Sequence, residues 1–236
     1  MGAPSDFATS LADRIKLYQG GFSQVIDLAD YRGRIAQIDL SVNNAALCAL
    51  DFDDPATLER FIWADLETRG AVVGVGGYGE DRAWYARSKN FVGTGEIRSI
   101  HLGIDFWIHA GTPVCAPLPA KVHSFQDNAH DGDYGPTIIL EHQLDSLRFF
   151  TLYGHLSRES LIGKHEGMPI AAGECFAAVG NYPINGAWPP HLHIQIIDEM
   201  NDLKGDFPGV AYPSRKAEFL ARCPDPNLIL GLAELC

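Results

Sequence analysis

The sequence lacks any apolar run long enough to span a membrane, and its first residues lack the basic-then-apolar pattern of a secretory signal. We therefore expect a protein that stays in the cytoplasm. Positive charge is also scarce, because 18 Lys and Arg face 30 Asp and Glu for a formal net charge of −12. Nucleic acid and anionic membranes repel so acidic a chain, so neither is predicted as a partner.

Cysteines are few and widely spaced. The chain has five of them, an odd number, and no CxxC pair. This spacing predicts neither a structural zinc knuckle nor a disulfide framework, so we expect reduced thiols in a reducing compartment. The residues concerned are Cys48, Cys115, Cys175, Cys223 and Cys236.

A phosphate-binding loop is absent as well. The glycine-rich stretch GVGGYGE at 74–80 has neither the G-x-G-x-x-G spacing nor a Gly-Lys-Ser/Thr ending, and no clear helix follows it. A loop or hairpin turn is the better interpretation. Tyr78, Arg82 and Tyr85 are candidates for one end of a cleft, on nearness in sequence alone.

Three short segments carry polar residues at alternate positions: HLGID at 101–105, TLYGH at 151–155 and HLHIQ at 191–195. In an extended strand, alternate side chains share a face. Together the segments supply four histidines and an aspartate, which are ligands and bases that a metal-dependent hydrolase uses. Three ligands and two bases can be chosen from these five residues.

The alternation rule also predicts which residues share a face. His101 and Asp105 point the same way, and so do His191 and His193. In the TLYGH segment the rule sets His155 beside Tyr153, with the flanking leucines on the opposite face. The turn-rich GDYGP, the apolar TIILEH, the turn LDS and the long LRFFTLYGH read as a β-hairpin that delivers His155 to a cleft.

The order HLGID, YGHL, HLH resembles the lysostaphin-type, or LytM-like, zinc metallopeptidases, which cleave short peptides in bacterial cell walls. The resemblance covers residues 98–197. It implies that His101, Asp105 and His193 bind Zn²⁺. It further implies that His191 is the general base and that His155 hydrogen-bonds the water or the developing oxyanion, although these two roles are interchangeable to some degree.

The same resemblance implies a mainly β fold, an antiparallel β-sheet or flattened barrel, for a metallopeptidase domain at 96–200. Residues 1–95 are predicted to form a mixed α/β appendage of unassigned role, and 201–236 a proline-rich tail on the outside of the core. Within the appendage, helices are predicted from Asp6 to Tyr18, with a stripe of Leu11, Ile15 and Tyr18, and from Pro55 to a stop at Gly70.

The function predicted from this resemblance is hydrolysis of a peptide or amide bond in a small peptide or cell-wall fragment. One departure is that Pro189 and Pro190 precede HLH where the family has glycine, which predicts a stiffer loop. The alternative is a non-hydrolytic binding or regulatory module linked to small-molecule metabolism. In support of it, HLGIDFW, GTPV and CPDPNLILG resemble a unit fused to kinase-like and aminotransferase domains. A purely structural scaffold ranks last, and no oligomeric state is indicated.

Overall fold

The secondary structure is that of a computed structural model, which describes residues 10–18, 21–51, 54, 56–82, 85, 91 and 95–235. Its α-helices are α1 (Leu11–Lys16), α2 (Ala45–Cys48), α3 (Ala56–Thr68), α4 (Lys216–Arg222) and α5 (Asn227–Leu230). Short 3-10 helices occupy Ala29–Tyr31, Arg158–Leu161, Pro213–Arg215 and Ala233–Leu235. No helix within the described residues is both long and apolar enough to cross a membrane.

The β-strands carry most of the remaining regular structure. The first six are β1 (Ile35–Gln37), β2 (Val73–Gly76), β3 (Ile100–His101), β4 (Ile104–Trp107), β5 (Pro113–Cys115) and β6 (Ala120–Asn128). The other six are β7 (Gly135–Leu144), β8 (Leu147–Gly154), β9 (Pro169–Ile170), β10 (Cys175–Ala178), β11 (His191–Ile197) and β12 (Val210–Ala211).

Eight of these strands form one sheet in the order β1-β2-β4-β11-β8-β7-β6-β9. Every neighbouring pair in it is antiparallel except β1 and β2, which run parallel. Two-stranded sheets join β5 to β10 and β3 to β12. The predicted mainly β fold with an antiparallel sheet is confirmed. The HLGID segment spans β3 and β4, HLHIQ lies on β11, and TLYGH ends β8. Strands β4, β11 and β8 are neighbours in the large sheet.

The predicted hairpin is formed by β7 and β8, with Leu144 paired to Leu147 across the turn. Asp145 takes the left-handed conformation that a tight turn requires, with φ of 52°. Both faces of the sheet are covered, because Ile138 packs into one apolar cluster and its neighbour Ile139 into another. A sheet buried on both sides holds its register firmly, since a slip of one residue would exchange the two faces.

The N-terminal part contributes to the same sheet through β1 and β2. The predicted helix before Gly70 is confirmed as α3, which buries Leu58, Ile62 and Leu66 at four-residue spacing. Gly70 follows with φ of 65°, while Pro55 lies outside the described residues. The division of the chain at residue 95 stays a prediction.

The first predicted helix is confirmed over Leu11–Lys16 as α1, which buries Ile15. Leu11 and Tyr18 pack beside Ile15 against the same apolar cluster, as the predicted stripe requires. Residues 6–9, where the prediction starts the helix, lie outside the described residues.

The C-terminal tail does more than cover the outside of the core. Phe207 is 1% exposed, and Phe219 on α4 joins it in an apolar cluster with Leu152. The segment therefore contributes buried side chains of its own to the core. Its prolines stand between the elements: Pro213, for example, starts a 3-10 helix, where a missing N–H costs nothing.

The expectation that all five cysteines are reduced is also wrong. Cys115 and Cys175 form a disulfide, although 60 residues separate them in the sequence. They are directly paired across the antiparallel strands β5 and β10, and this brings their side chains together. Among the described residues Cys48 and Cys223 are free thiols, and Cys236 lies outside them.

Candidate metal centre

Asp105 and His193 are cross-strand partners on β4 and β11. His193 is also paired with Gly154, the last residue of β8. Residues paired directly across antiparallel strands project to the same face, so the side chains of Asp105 and His193 lie side by side, and the end of β8 lies next to them. This strand pairing is the reason that the segments share a face, as predicted.

His101 reaches the same place by a route that the sequence does not show. The HLGID segment is two strands and not one, because β3 pairs with β12 whereas β4 pairs with β11. The chain bends at Leu102 and Gly103 between them. His101 and Asp105 still point to the same place, as predicted, since His101 Nε2 lies 3.3 Å from Asp105 Oδ1.

Three donor atoms converge in the interior. His101 Nε2 lies 2.9 Å from His193 Nδ1, and His193 Nδ1 lies 3.1 Å from Asp105 Oδ1. The exposed fractions are 1% for His101, 1% for Asp105 and 3% for His193. Zinc bonds of about 2.0–2.2 Å in a tetrahedron place neighbouring donors roughly 3.3–3.5 Å apart, so a small outward shift would admit the ion.

Hydrogen bonds at the far side of each imidazole decide which nitrogen carries the proton. His101 Nδ1 lies 3.1 Å from the carbonyl oxygen of Gly77, which can only accept, so this nitrogen is the donor. His193 Nε2 lies 3.1 Å from Gln195 Oε1, and the Gln195 amide nitrogen in turn donates to the carbonyl of Pro208. With those outer nitrogens as donors, the nitrogens that face the centre can offer lone pairs to a cation.

Charge at the centre follows from burial and from the neighbours. Burial, with help from the nearby Arg82, lowers the pKa of His101 to about 4. Burial alone would raise the pKa of Asp105, but His101 and Arg82 together hold that pKa well below its usual value. At neutral pH the centre thus combines a neutral His101 with an ionised carboxylate, which are the protonation states that metal binding needs.

The other two histidines stand together beside this centre. The ring centroids of His155 and His191 are 4.1 Å apart. His155 Nδ1 donates to the carbonyl of Asn185 at 2.9 Å, and His191 Nδ1 donates to the carbonyl of Pro189 at 2.7 Å. In both neutral rings Nε2 is therefore the unprotonated nitrogen, ready to accept a proton.

Both of these rings are buried and neutral. Burial lowers the pKa of His191 to about 4. Burial and then the neighbouring His191 lower the pKa of His155 well below its ordinary value. His191 also stacks on the indole of Trp107, with centroids 4.2 Å apart and planes inclined by 25°.

The predicted placement of Tyr153 beside His155 is wrong. Tyr153 is paired with Ile194 and packs against Phe176 in the apolar cluster on the opposite face of the sheet. Leu152 instead shares the face of His193. The alternation fails because His155 lies just past the end of β8 with φ of 61°, so the chain turns before the histidine.

A cavity of about 320 Å³ opens over the five candidate residues. Six aromatic residues line it: Tyr85, Phe91, Trp107, Tyr134, Trp188 and Phe207. Carboxylates of Asp133 and Asp206 also line it, and Arg98 lies with them. The cavity thus joins an apolar wall to a few polar groups, as small-ligand sites do.

Of the three residues suggested for one end of the cleft, Arg82 and Tyr85 line the cavity. Tyr78 does not, and its hydroxyl donates to the carbonyl of Cys223 at 2.7 Å. Sequence reasoning missed Gly77 and Gln195 altogether. Gln195 could have been found, because it continues the alternation of His191 and His193 on β11.

The loop before β11 is tied down at two points. Trp188 Nε1 donates to the carbonyl of Asp133 at 3.0 Å, and Pro189 accepts from His191. The five histidines set aside from the sequence take no part in the cavity lining. They are His109, His123, His130, His142 and His165.

The fold and the centre define an antiparallel β-sheet domain with a buried His-Asp-His cluster. Residues 99–204 match Peptidase family M23. The predicted resemblance to the lysostaphin-type metallopeptidases is confirmed at the level of the family.

Three individual proteins show how far the similarity to this chain extends. An "uncharacterized metalloprotease" of Haemophilus influenzae is 34% identical over 143 residues, which are 58% of this chain and 28% of that protein. The catalytic domain of the antimicrobial peptidase lysostaphin from Staphylococcus simulans is 24% identical, with a TM-score of 0.36 over 59% of this chain and 99% of its own. A zinc containing peptidase from Vibrio cholerae is 23% identical, with a TM-score of 0.35 over 51% of this chain and 31% of its own.

Proposed function

We propose that this chain is a zinc-dependent hydrolase of peptide or amide bonds. One observation carries the proposal: three buried donor atoms with lone pairs converge within 3.3 Å of one another, beside two neutral histidines. Metal chemistry of this kind needs three protein ligands and a separate base. All five residues are in place.

In this proposal His101, Asp105 and His193 hold the ion, through the three atoms that face one another. When bound, zinc supplies Lewis acidity to the scissile carbonyl and makes the attacking water more acidic. Histidine ligands bind a metal in their neutral form, so one carboxylate with two imidazole ligands would leave a net positive charge around a divalent cation. Soft thiolate ligands are not needed, and Cys223 contacts Gln195 rather than the donors.

His191 accepts the proton of the attacking water at Nε2 and returns it to the leaving nitrogen. Its Nδ1–H stays on the carbonyl of Pro189, which keeps the ring oriented through the cycle. His155 presents its unprotonated Nε2 to the same space, where it accepts a hydrogen bond from the attacking water; once Nε2 has taken up a proton, it donates to the charge that develops on the carbonyl oxygen. These two roles are open to exchange between the two rings, which carry similar hydrogen bonds.

For the substrate we propose a small peptide or a cell-wall fragment. The cavity volume of about 320 Å³ lies at the small end of ligand pockets, which suits a short peptide. The aromatic wall supplies apolar contact, and Asp133 and Asp206 provide acidic groups near the metal centre. The cytoplasmic location and the absence of nucleic acid or membrane partners stay predictions.

Metal content per chain tests the proposal first. The protein is purified without an affinity-metal step and analysed beside His101→Ala and His193→Ala, with His165→Ala as the control at an exposed histidine. We expect about one zinc per chain in the wild type and the control, and little in the other two. No zinc in any form, even after addition of the metal, would refute the proposal.

Turnover comes second, with short peptides and peptidoglycan fragments as substrates. Hydrolysis by the zinc-loaded wild type supports the enzyme. Zinc binding without hydrolysis of any amide substrate would favour the alternative, a metal-binding module without hydrolytic activity.

A further inference from the structure

The two carboxylate oxygens of Asp105 face different neighbours. Oδ1 faces the histidines His101 and His193, whereas Oδ2 accepts a hydrogen bond of 2.7 Å from Arg82 Nη1. The two oxygens of one carboxylate therefore have different partners. Only one of them is available to the ion.

Arg82 is itself held from several directions. Its Nε donates to Glu80 Oε2 at 2.7 Å, and its Nη1 also reaches the hydroxyl of Tyr85 at 2.9 Å. Its backbone N–H donates to the carbonyl of Ser99. With 1% of its surface exposed, the guanidinium has no room to adopt another arrangement.

Glu80 completes the chain of contacts. Its Oε1 accepts the backbone N–H of Leu40 at 2.9 Å while Oε2 binds Arg82. The glutamate is thus fixed to the backbone that follows β1, in the N-terminal part of the protein. The series Leu40, Glu80, Arg82, Asp105 runs from that part to the metal centre.

We propose that Arg82, oriented by Glu80, is the positioning residue that holds Asp105 as a one-oxygen ligand of the metal. This inference rests on the proposed function. The 77–85 segment lies before the matched family domain, which starts at residue 99, and it supplies the outer contacts of two ligands: Gly77 to His101 and Arg82 to Asp105. The N-terminal part of the chain, which had no assigned role, thus provides hydrogen-bond partners to two of the proposed metal ligands.

The physical reason is the geometry of the guanidinium. Two of its nitrogens donate in fixed, planar directions, so one side chain can bridge Glu80 and Asp105 at once. Without that bridge, Oδ2 would be buried with no donor, and the carboxylate could rotate to offer both oxygens to the ion. Coordination by both oxygens would add a ligand atom and alter the open position that catalysis needs.

The test removes the bridge without changing the net charge. The double variant Arg82→Met with Glu80→Gln deletes one positive and one negative charge from the interior. The control, Arg148→Met with Glu199→Gln, makes the same chemical change in an exposed ion pair. Zinc affinity is measured by competition with a chelator, and the visible absorption of the cobalt-loaded protein reports the coordination number.

We expect zinc affinity to fall ten- to a hundredfold in the interior variant, the usual effect of losing an outer contact, and the cobalt bands to weaken. The exposed control should match the wild type in both. A zinc Kd within twofold of the wild type, with unchanged cobalt bands, would overturn the role of Arg82 and leave the proposed function standing. A wild type that binds neither metal would instead defeat the proposed function.

A milder variant covers the case in which the double variant does not fold. Arg82→Lys keeps the charge but cannot donate in two fixed directions. We expect it to weaken zinc binding by at least fivefold in protein whose circular dichroism matches the wild type. Wild-type affinity in Arg82→Lys would count against the positioning role.

Discussion

Gly103 lies against the ring of His193, so closely that an ideal Cβ at this position would come within 2.5 Å of Cε1. It would also come within 2.6 Å of the carbonyl oxygen of Ile194. A backbone atom cannot move aside as a flexible side chain can. Glycine is therefore required where the chain bends between His101 and Asp105, and the requirement comes from the site itself.

Gly103→Ala should displace the imidazole of His193. We expect a cost of about 1–3 kcal/mol in the free energy of unfolding, as for an overpacked core, and at least tenfold weaker zinc binding. The control is Gly163→Ala, which has φ of 75° and no atom within 4 Å of the added methyl. It should cost about 1–2 kcal/mol of backbone strain and leave zinc affinity unchanged. Urea unfolding and chelator competition measure the two effects.

His191→Ala should separate catalysis from metal binding. His191 donates to Pro189 and makes no contact with the donor atoms in the hydrogen bonds described above, so zinc content should stay near one per chain. The rate of hydrolysis should fall by about 10²–10⁴, the usual contribution of a general base. His155→Ala is the partner variant, and whichever of the two loses more rate is the main base. Loss of zinc from His191→Ala, with retention in His193→Ala, would reverse the assignment of the pair.

His142 gives a pH dependence that does not involve the metal. Burial lowers its pKa to about 4, while its Nε2 lies 2.7 Å from the hydroxyl of Thr151. In the unfolded chain His142 is protonated below about pH 6.5, but in the folded protein it is protonated only below about pH 4. Stability from this residue is thus complete above pH 6.5 and declines by roughly 3 kcal/mol as the pH falls to 4.

The variant His142→Gln should show a flatter decline than the wild type over pH 6.5 to 4. His165→Gln, at an exposed position, should keep the wild-type slope. Urea midpoints at several pH values provide the comparison. Identical slopes for His142→Gln and the wild type would show that His142 takes up its proton in the folded state.

The disulfide predicts a sensitivity to reductant. Joining Cys115 to Cys175 closes a loop across 60 residues, and the entropy of such a loop corresponds to about 4 kcal/mol. Dithiothreitol should therefore lower the unfolding midpoint of the wild type. The double variant Cys115→Ala with Cys175→Ala should start at the lower midpoint and not respond. Equal midpoints for the wild type with and without reductant would mean that the thiols are free in solution.

Local pattern carried many of the predictions that the structure confirms. A hydrophobic stripe located α1, a proline start and a glycine stop located α3, and the turn residues between two apolar runs located the β7–β8 hairpin. Each of these features depends on residues within about one element of each other. The predictions failed where a residue lies beyond the end of its element, as His155 does after β8.

Contacts between distant parts of the chain could not be read in the same way. Arg82 and Asp105 are 23 residues apart, and the two half-cystines are 60 apart. No periodicity in the sequence indicates either contact, because each depends on which parts of the chain become neighbours in the fold. The glycine-rich stretch before Arg82 was interpreted as a loop or hairpin turn, whereas Val73–Gly76 form β2 and the carbonyl of Gly77 accepts a hydrogen bond from His101.

The sequence by itself determined the chemistry that is available: three histidines and an aspartate at alternate positions of short strands, and a fourth histidine at a hairpin end. Only the tertiary structure decided what these groups do together. His101 and His193 stand 92 residues apart, and the order of strands in the sheet brings their nitrogens to 2.9 Å. Backbone carbonyls and Gln195 then select which nitrogen faces the centre, because a hydrogen bond on one side of an imidazole leaves the lone pair on the other.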